Sequence, residues 1–392
     1  MNILGIFLRD CIRTGGHKRY FELLEGLSRK GHQVLLVSNA SLGYRADRFS
    51  CLRVRVPAVK WPVPKSLLYL IAIVGSVAEL KSRGKGNDFI VVFGETVFPS
   101  ALFCKCILHS PILYSSRSNL WEIARCVEAE AGGRLSWIKG KLERLKIALM
   151  EKLIAAHADL IIFQNRYEHC AFQKRHPRHS RKALVIGNNL NASWFPPEHK
   201  NGNKSERLTK LMYLGALSRR KGFLILLECF KEVAAKNPRL ELTVIGSGAY
   251  SETLLEQTKD EAFGGRLKWL GKQNSPFPYL AAADLLIVPS LYDSFPNVIL
   301  EALHTGTPVI GSNAGGIPEM LEHKELLFEA GSSSALTQKI LALAADNALY
   351  RKIQALCRHK REKYLFDWAG EFEKTMEAFN SEIEKRDGCL NR

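Results

Sequence analysis

The sequence predicts an α/β protein built as two Rossmann-like halves that face each other across a cleft. Three observations carry this prediction. Short apolar runs recur between amphipathic stretches, the pattern of buried parallel strands alternating with covering helices. The rhythm stops once, at Asn188–Arg207, where two prolines and several asparagines replace any apolar periodicity, and it restarts beyond. The length, 392 residues, is also more than one hydrophobic core commonly serves.

In chain order, Ile3–Leu8 reads as a buried strand and Thr14-Gly15-Gly16 as a tight turn. His17–Lys30 then sets Phe21, Leu23, Leu24 and Leu27 on one side of an amphipathic helix that Gly31 ends. Strands are expected at Gln33–Ser38, Phe89–Phe93, Ile112–Ser115 and Leu160–Gln164. Leu67–Ala78 is apolar but too short to span a bilayer, so a packed helix is expected there. These elements make a first domain, 1–190, followed by a linker, 191–207. The second domain, 208–365, is expected to have strands at Leu211–Leu214, Leu240–Ile245, Leu267–Leu270, Leu285–Val288 and Pro308–Gly311. Its helices are expected at Gly222–Ala235 and from about Ser251. Leu349–Phe379 looks wholly helical, and 366–392 is expected to cross back to the first domain as a C-terminal helix.

The net charge of +17 is placed unevenly. Residues 1–190 hold 30 basic and 14 acidic residues, whereas 191–392 hold 26 and 25. Such a first half suits an anionic membrane, a phosphorylated acceptor or nucleic acid. No aromatic-glycine RNA pattern and no zinc-finger spacing accompany the charge, so a nucleic-acid partner is not expected. The nine cysteines are scattered without a second ligand pair, which points to reduced thiols and a cytoplasmic location. MNILGIFLRD enters a strand directly and does not read as a signal peptide.

The chemistry concentrates in YDSFPNVILEALHTGTPVIGSNAGGIPEM, residues 292–320, where Asp293 and Glu301 flank a helix start. Pro296 suits the first helical turn and Asp293 or Ser294 its cap. The N–H groups of Ser294, Phe295, Asn297 and Val298 would then face the cleft as an anion site, with a carboxylate on either side to accept hydrogen bonds from sugar diols. A capped helix with one satisfied glutamate is the plain alternative. A metal site is disfavoured, because no Asp-x-Asp and no third ligand stand nearby. Upstream, Arg219, Arg220 and Lys221 lie between a strand end and a helix start, where a phosphate is well held, although a solvated basic turn would look the same. Gly246-Ser247-Gly248 half-matches a dinucleotide fingerprint, but Ser251 stands in place of the third glycine and no acid ends the next strand.

This region, AAADLLIVPSLYDSFPNVILEALHTGTPVIGSNAGGIPEM, resembles the retaining GT-B glycosyltransferases of family 4, marked by an acid, seven residues and a glutamate. The G-x-L-x₃-K-G stretch, the Gly-Ser-Gly turn, WLGKQ at 269–273 and the early Gly-Gly match in the same order. The resemblance implies retaining sugar transfer from a nucleotide-sugar without a divalent metal; no other cofactor is expected, and a UDP-linked donor is the one expected, although the sequence itself leaves the base open. Carried over, Glu301 would hold the ribose hydroxyls and Asp293 the donor sugar. Lys221 with Arg219 or Arg220 would neutralise the diphosphate, and Gly16 would let the first domain approach it. The Gly271–Gln273 turn would border the base, while Ser294, Phe295, Asn297 and Val298 would serve sugar and phosphate. The chain departs from the family in three ways. The first acid is an aspartate, Ala216 stands where arginine is common, and Arg117 and Asn119 occupy the region where many relatives have a histidine. His109 lies on the wrong side of its strand and is expected to be structural. A silent nucleotide-sugar-binding protein and a GT-B epimerase remain the alternatives.

GGRLSWIKGKLERLKIALMEKLIAA, residues 132–156, sets Arg134, Lys139, Lys141, Arg144, Lys146 and Lys152 against Glu143 and Glu151. Trp137, Ile138, Leu142 and Leu145 supply an apolar side, a combination that can lie on an anionic membrane. A helix packed on the sheet with solvated lysines is the alternative. The setting expected is the inner face of the cell membrane, with a lipid-linked or otherwise anionic glycan acceptor in envelope polysaccharide or lipopolysaccharide assembly.

Overall fold

The structure, a computed structural model, describes residues 1–12, 15–42, 49–58, 63–84, 86–117, 119–128, 134–190, 205–257, 259 and 263–390. The side chains at 123, 126–128, 134–139, 257 and 386–390 are outside the description. The 191–207 linker falls almost wholly outside the described residues, as does Thr14.

The first half is a parallel sheet of β1 (Asn2–Phe7), β2 (Gln33–Asn39), β3 (Ser50–Val54), β4 (Phe89–Phe93), β5 (Ile112–Ser115), β6 (Leu160–Phe163) and β7 (Ala183–Val185). Its spatial order is β3-β2-β1-β4-β5-β6-β7. Around it run α1 (Gly15–Arg29), α2 (Lys65–Val74), α3 (Val77–Gly84), α4 (Phe98–Leu108), α5 (Leu120–Glu128), α6 (Arg134–His157) and α7 (Arg166–Arg175). The second half contains β8 (Lys210–Leu214), β9 (Glu241–Ile245), β10 (Leu267–Trp269), β11 (Leu285–Val288), β12 (Val309–Ser312) and β13 (Leu327–Phe328), in the order β10-β9-β8-β11-β12-β13. Its helices are α8 (Phe223–Lys236), α9 (Ser251–Gln257), α10 (Phe277–Ala282), α11 (Asn297–His304), α12 (Ile317–Leu321), α13 (Ser333–Ala345) and α14 (Asn347–Lys363), before α15 (Trp368–Leu390). Central strands such as Phe89–Val92 and Leu285–Ile287 are buried along their length, because helices cover both faces of each sheet.

Each sheet reverses its winding beside its first strand, between β1 and β4 and between β8 and β11. Loops leaving the strand C-termini at such switch points form a crevice, and ligands bind there in open parallel sheets. The basic loop follows β8 and the Asp293 loop follows β11, so this topology alone brings 219–221 and 293 together.

Several expected elements need correction. Gly15 and Gly16 open α1 and do not form a turn. The apolar run at 67–78 breaks at Gly75-Ser76 into α2 and α3, and α2 leaves Leu67, Ile71 and Val74 46–48% exposed. The helical end breaks at Tyr364–Asp367. There the Tyr364 carbonyl accepts the Leu190 N–H at 2.7 Å, so the two chain crossings between the sheets lie side by side. The amide of Asn189 also donates to the Phe366 carbonyl at 2.8 Å. α15 then buries Trp368, Phe372 and Met376 against α1 and the first sheet.

Candidate active site

The basic loop is shaped by Gly222, whose φ of 67° suits a residue without Cβ. A Cβ there would also collide with the Pro289 carbonyl at the end of β11. Pressed so closely, the two loops bond to each other. The Leu291 N–H donates to the Arg220 carbonyl at 2.8 Å, and Arg220 Nη1 donates to the Tyr292 carbonyl at 3.1 Å. Lys221 Nζ forms an ion pair with the Asp293 carboxylate. Arg219 sits in the same turn, its carbonyl accepting the Gly222 N–H at 2.8 Å.

Asp293 is 9% exposed. Its backbone carbonyl accepts the Gly316 N–H at 2.8 Å, and Gly315 (φ 59°) leaves no room for a Cβ beside it. The expected cap is wrong in detail. The residue that precedes the helix is Pro296, and neither Asp293 nor Ser294 bonds its first turn through a side chain. The Ser294 hydroxyl instead donates to the Glu168 carboxylate of α7, and its carbonyl accepts Asn165 Nδ2 at 2.7 Å. A partner 126 residues away has displaced the local cap. The first amides of α11 are therefore those of Asn297 and Val298. Val298 packs on the second core, and the Phe295 ring meets Tyr364 edge-on at 6.1 Å.

Glu301 lies one turn further along α11. Burial pushes its carboxyl up to about 7, against the positive charges of Arg19 and Lys18 on α1. Arg19 is fully buried, donates to the Asn189 carbonyl at 2.5 Å and to its Oδ1 at 2.9 Å, and lies 5.5 Å from the Trp368 ring. Burial lowers its pKa to about 10, so it stays charged at neutral pH.

The first domain closes the site from the other side. A Cβ on Gly15 would lie 2.8 Å from Asn297 Nδ2, so the start of α1 meets the start of α11, with Gly16 in that same first turn. Asn297 Oδ1 accepts Asn188 Nδ2 at 2.9 Å, and Asn188 Oδ1 accepts Arg117 Nη2 at 3.3 Å. Arg117 lies 4.8 Å from the Phe93 ring, and burial together with the charge of Arg19 lowers its pKa to about 9. The structure thus gathers Gly16, Arg117, Lys221, Asp293, Ser294, Asn297 and Glu301 around one cleft. Asn119 is instead the cap of α5, accepting the Trp121 N–H at 3.0 Å. His109 ends α4 in the left-handed conformation. Gln273 is held locally, donating to the Leu270 carbonyl at 2.5 Å, in a turn whose Gly271 carbonyl accepts the Gly246 N–H at 2.8 Å. Among the described residues no group of three His, Cys, Asp or Glu side chains is placed to hold a metal ion.

Arg19, Asn165, Glu168 and Asn188 went unread in the sequence. Only Arg19 had a local signal, a cation amid Tyr20, Phe21 and Leu23 where the helix turns apolar.

Two facing sheets of this winding, with a basic loop and an acidic loop at the second switch point, define the GT-B class. The 96% of the chain that superposes on HepE from Anabaena, solved with UDP, covers 100% of that protein (TM-score 0.73, 17% identity) and shows the shared fold. Residues 209–346 match the family model described as glycosyl transferases group 1, so that likeness falls within the second half. An uncharacterized glycosyltransferase of Haemophilus influenzae is 25% identical over 382 residues, which is 94% of this chain and 99% of that one. The lipopolysaccharide core biosynthesis glycosyltransferase LpsE of Rhizobium meliloti is 30% identical over 145 residues, covering 36% of this chain and 42% of LpsE. The chain spans less than half the length of several curated relatives that it matches.

Proposed function

We propose that this protein is a glycosyltransferase that moves a sugar from a nucleotide-sugar, UDP-linked, to a lipid-linked or polysaccharide acceptor with retention and without a metal. The observation that carries the reading is the Lys221–Asp293 pair at the switch point, in the loop that leads into α11 and its half-buried Glu301. In the ligand-free protein the cation and the acid satisfy each other. When a diphosphate enters, Lys221 turns to its oxygens with Arg219 or Arg220, and Asp293 is released to accept donor-sugar hydroxyls. Glu301, ionised, accepts both hydroxyls of the ribose.

The chemistry follows from that placement. The bond between C1 and the β-phosphate oxygen breaks, leaving negative charge on the phosphate. Fixed cations and the amides that open α11 stabilise this charge as it grows. The acceptor hydroxyl bonds to C1 on the same face, and its proton passes to the departing phosphate. Arg117, beside Asn188, approaches the donor from the first domain.

The acceptor side supports a membrane setting. α6 buries Ile154 and Ala155 on the sheet, but Leu142, Leu145 and Leu149 are 57–61% exposed among Lys141, Arg144 and Lys146. Exposed leucines rimmed by cations suit an anionic lipid surface. The side chains of Trp137, Ile138 and Lys139 are outside the described residues, and no described helix is long and apolar enough to cross a membrane. Envelope glycan assembly at the inner face is the setting proposed, and the likeness to LpsE, a lipopolysaccharide core biosynthesis glycosyltransferase, supports it. The test is NMR detection of UDP release and of the product anomer from a UDP-sugar, using lipid-linked acceptors in EDTA.

A further inference from the structure

We propose that Glu168 is a positioning residue, a clamp from the first domain that holds the Asp293 loop of the second domain in register across the cleft. The proposal rests on the transferase reading for its catalytic consequence.

Glu168 stands in the first turn of α7, 2% exposed. One carboxylate oxygen accepts both the Tyr292 hydroxyl and the Ser294 hydroxyl, the residues on either side of Asp293. Those hydroxyls lie 3.0 Å from each other. Asn165, three residues earlier, caps α7 by accepting the Glu168 N–H at 2.8 Å, and its amide donates to the Ser294 carbonyl. The Arg166 N–H donates to Glu319 of α12 at 2.6 Å. One helix start in the first domain thus grips the second domain at three points. In a strand-to-helix loop, side chains flanking a residue set the direction of its own side chain. Holding Tyr292 and Ser294 together therefore aims Asp293 towards Lys221.

Glu168 acts through the loop and not on the substrate. Its second oxygen is buried without a hydrogen-bond partner, and the residue lines, with Ser116, Asn119, Glu151 and Arg175, a cavity of about 50 Å³, a space far smaller than a sugar and of the size that holds ordered water. Burial drives the carboxyl above its usual range, and the hydroxyls of Ser294 and Tyr292 oppose that drift by bonding its ionised form.

The clamp exists only while the two domains are apposed. Removing it should cost turnover more than donor affinity. The tests are turnover of UDP-glucose (to acceptor or water), UDP titration, and amide exchange across 291–297. For Glu168→Ala the expected result is a fall in kcat of about tenfold or more, with KM and the UDP Kd within about threefold, and at least tenfold faster exchange in 291–297. Glu168→Gln, whose amide oxygen still accepts hydrogen bonds, should recover much of both. Adding Tyr292→Phe and Ser294→Ala to Glu168→Ala should do little more, because all three remove one interaction. Unchanged exchange at 291–297 in Glu168→Ala overturns the clamp, and so does a loss confined to KM. If the wild type turns over no donor, the transferase reading fails first, and the exchange result alone still decides the clamp.

Discussion

Replacing Glu301 with glutamine tests the half-buried acid at the heart of the site. In the folded protein its carboxyl is pushed from 4.5 up to about 7, mainly by burial. The folded state therefore binds more protons than the unfolded state between those two values. By linkage the stability this group contributes is complete below pH 4.5 and is lost as the pH rises through about 7. The full cost of ionising it amounts to about 3 kcal/mol, and the part incurred between pH 5 and 8 to about 2 kcal/mol. Glu301→Gln should thus gain stability over the wild type by about 2 kcal/mol on going from pH 5 to 8 in urea denaturation. UDP affinity should move the other way. Ribose hydroxyls bond best to a carboxylate, so wild-type binding should weaken up to tenfold per unit as the pH falls below 7, whereas the glutamine variant should bind weakly at every pH. Two parallel pH profiles, in stability or in UDP affinity, would refute the assignment.

Three further outcomes follow from the same geometry. Arg19→Gln removes the larger of the two positive charges that oppose the Glu301 shift, so the midpoint of the UDP-binding pH profile should rise by about one unit; calorimetry that finds it unmoved contradicts the coupling. Asp293→Asn should keep or tighten UDP binding, because Lys221 loses its partner, while turnover falls on the order of a hundredfold; a loss of UDP binding would count against a sugar-facing role. Reversing Lys141 and Lys146 to glutamate with Leu142→Ser should release the protein from anionic vesicles in flotation at low salt, as each surface cation contributes about 1 kcal/mol. UDP binding should be unaffected, and a wild type that does not float would remove the membrane proposal.

What could be read from the chain divides along physical lines. Central strands announce themselves because both faces are buried, so FIVVF and LLIV are apolar throughout. β3 (SCLRV), β7 (ALV) and β13 (LF) went unread; each is an edge strand, short or interrupted by charge, with a neighbour on one side only. The pairing of 219–221 with 293 was legible because sheet topology converts two strand ends into one crevice. The partners supplied by the first domain were not. Asn188 meets Asn297 across 109 positions and Glu168 meets Ser294 across 126, and no local pattern encodes either contact. The miscast helix cap has the same origin. Serine at that position favours a cap in isolation, but a buried carboxylate from the other domain is the stronger acceptor.

The central claim is nucleotide-sugar turnover at the cleft between β8 and β11. Incubating the protein with UDP-, GDP- and ADP-linked sugars in EDTA, and following nucleotide release and the anomeric configuration of the product by NMR, tests it most directly. The expected result is release of UDP with the donor's configuration kept and with activity unaffected by the chelator. Absence of turnover across the whole panel would contradict it, as would inversion at C1 or activity that returns only with added magnesium.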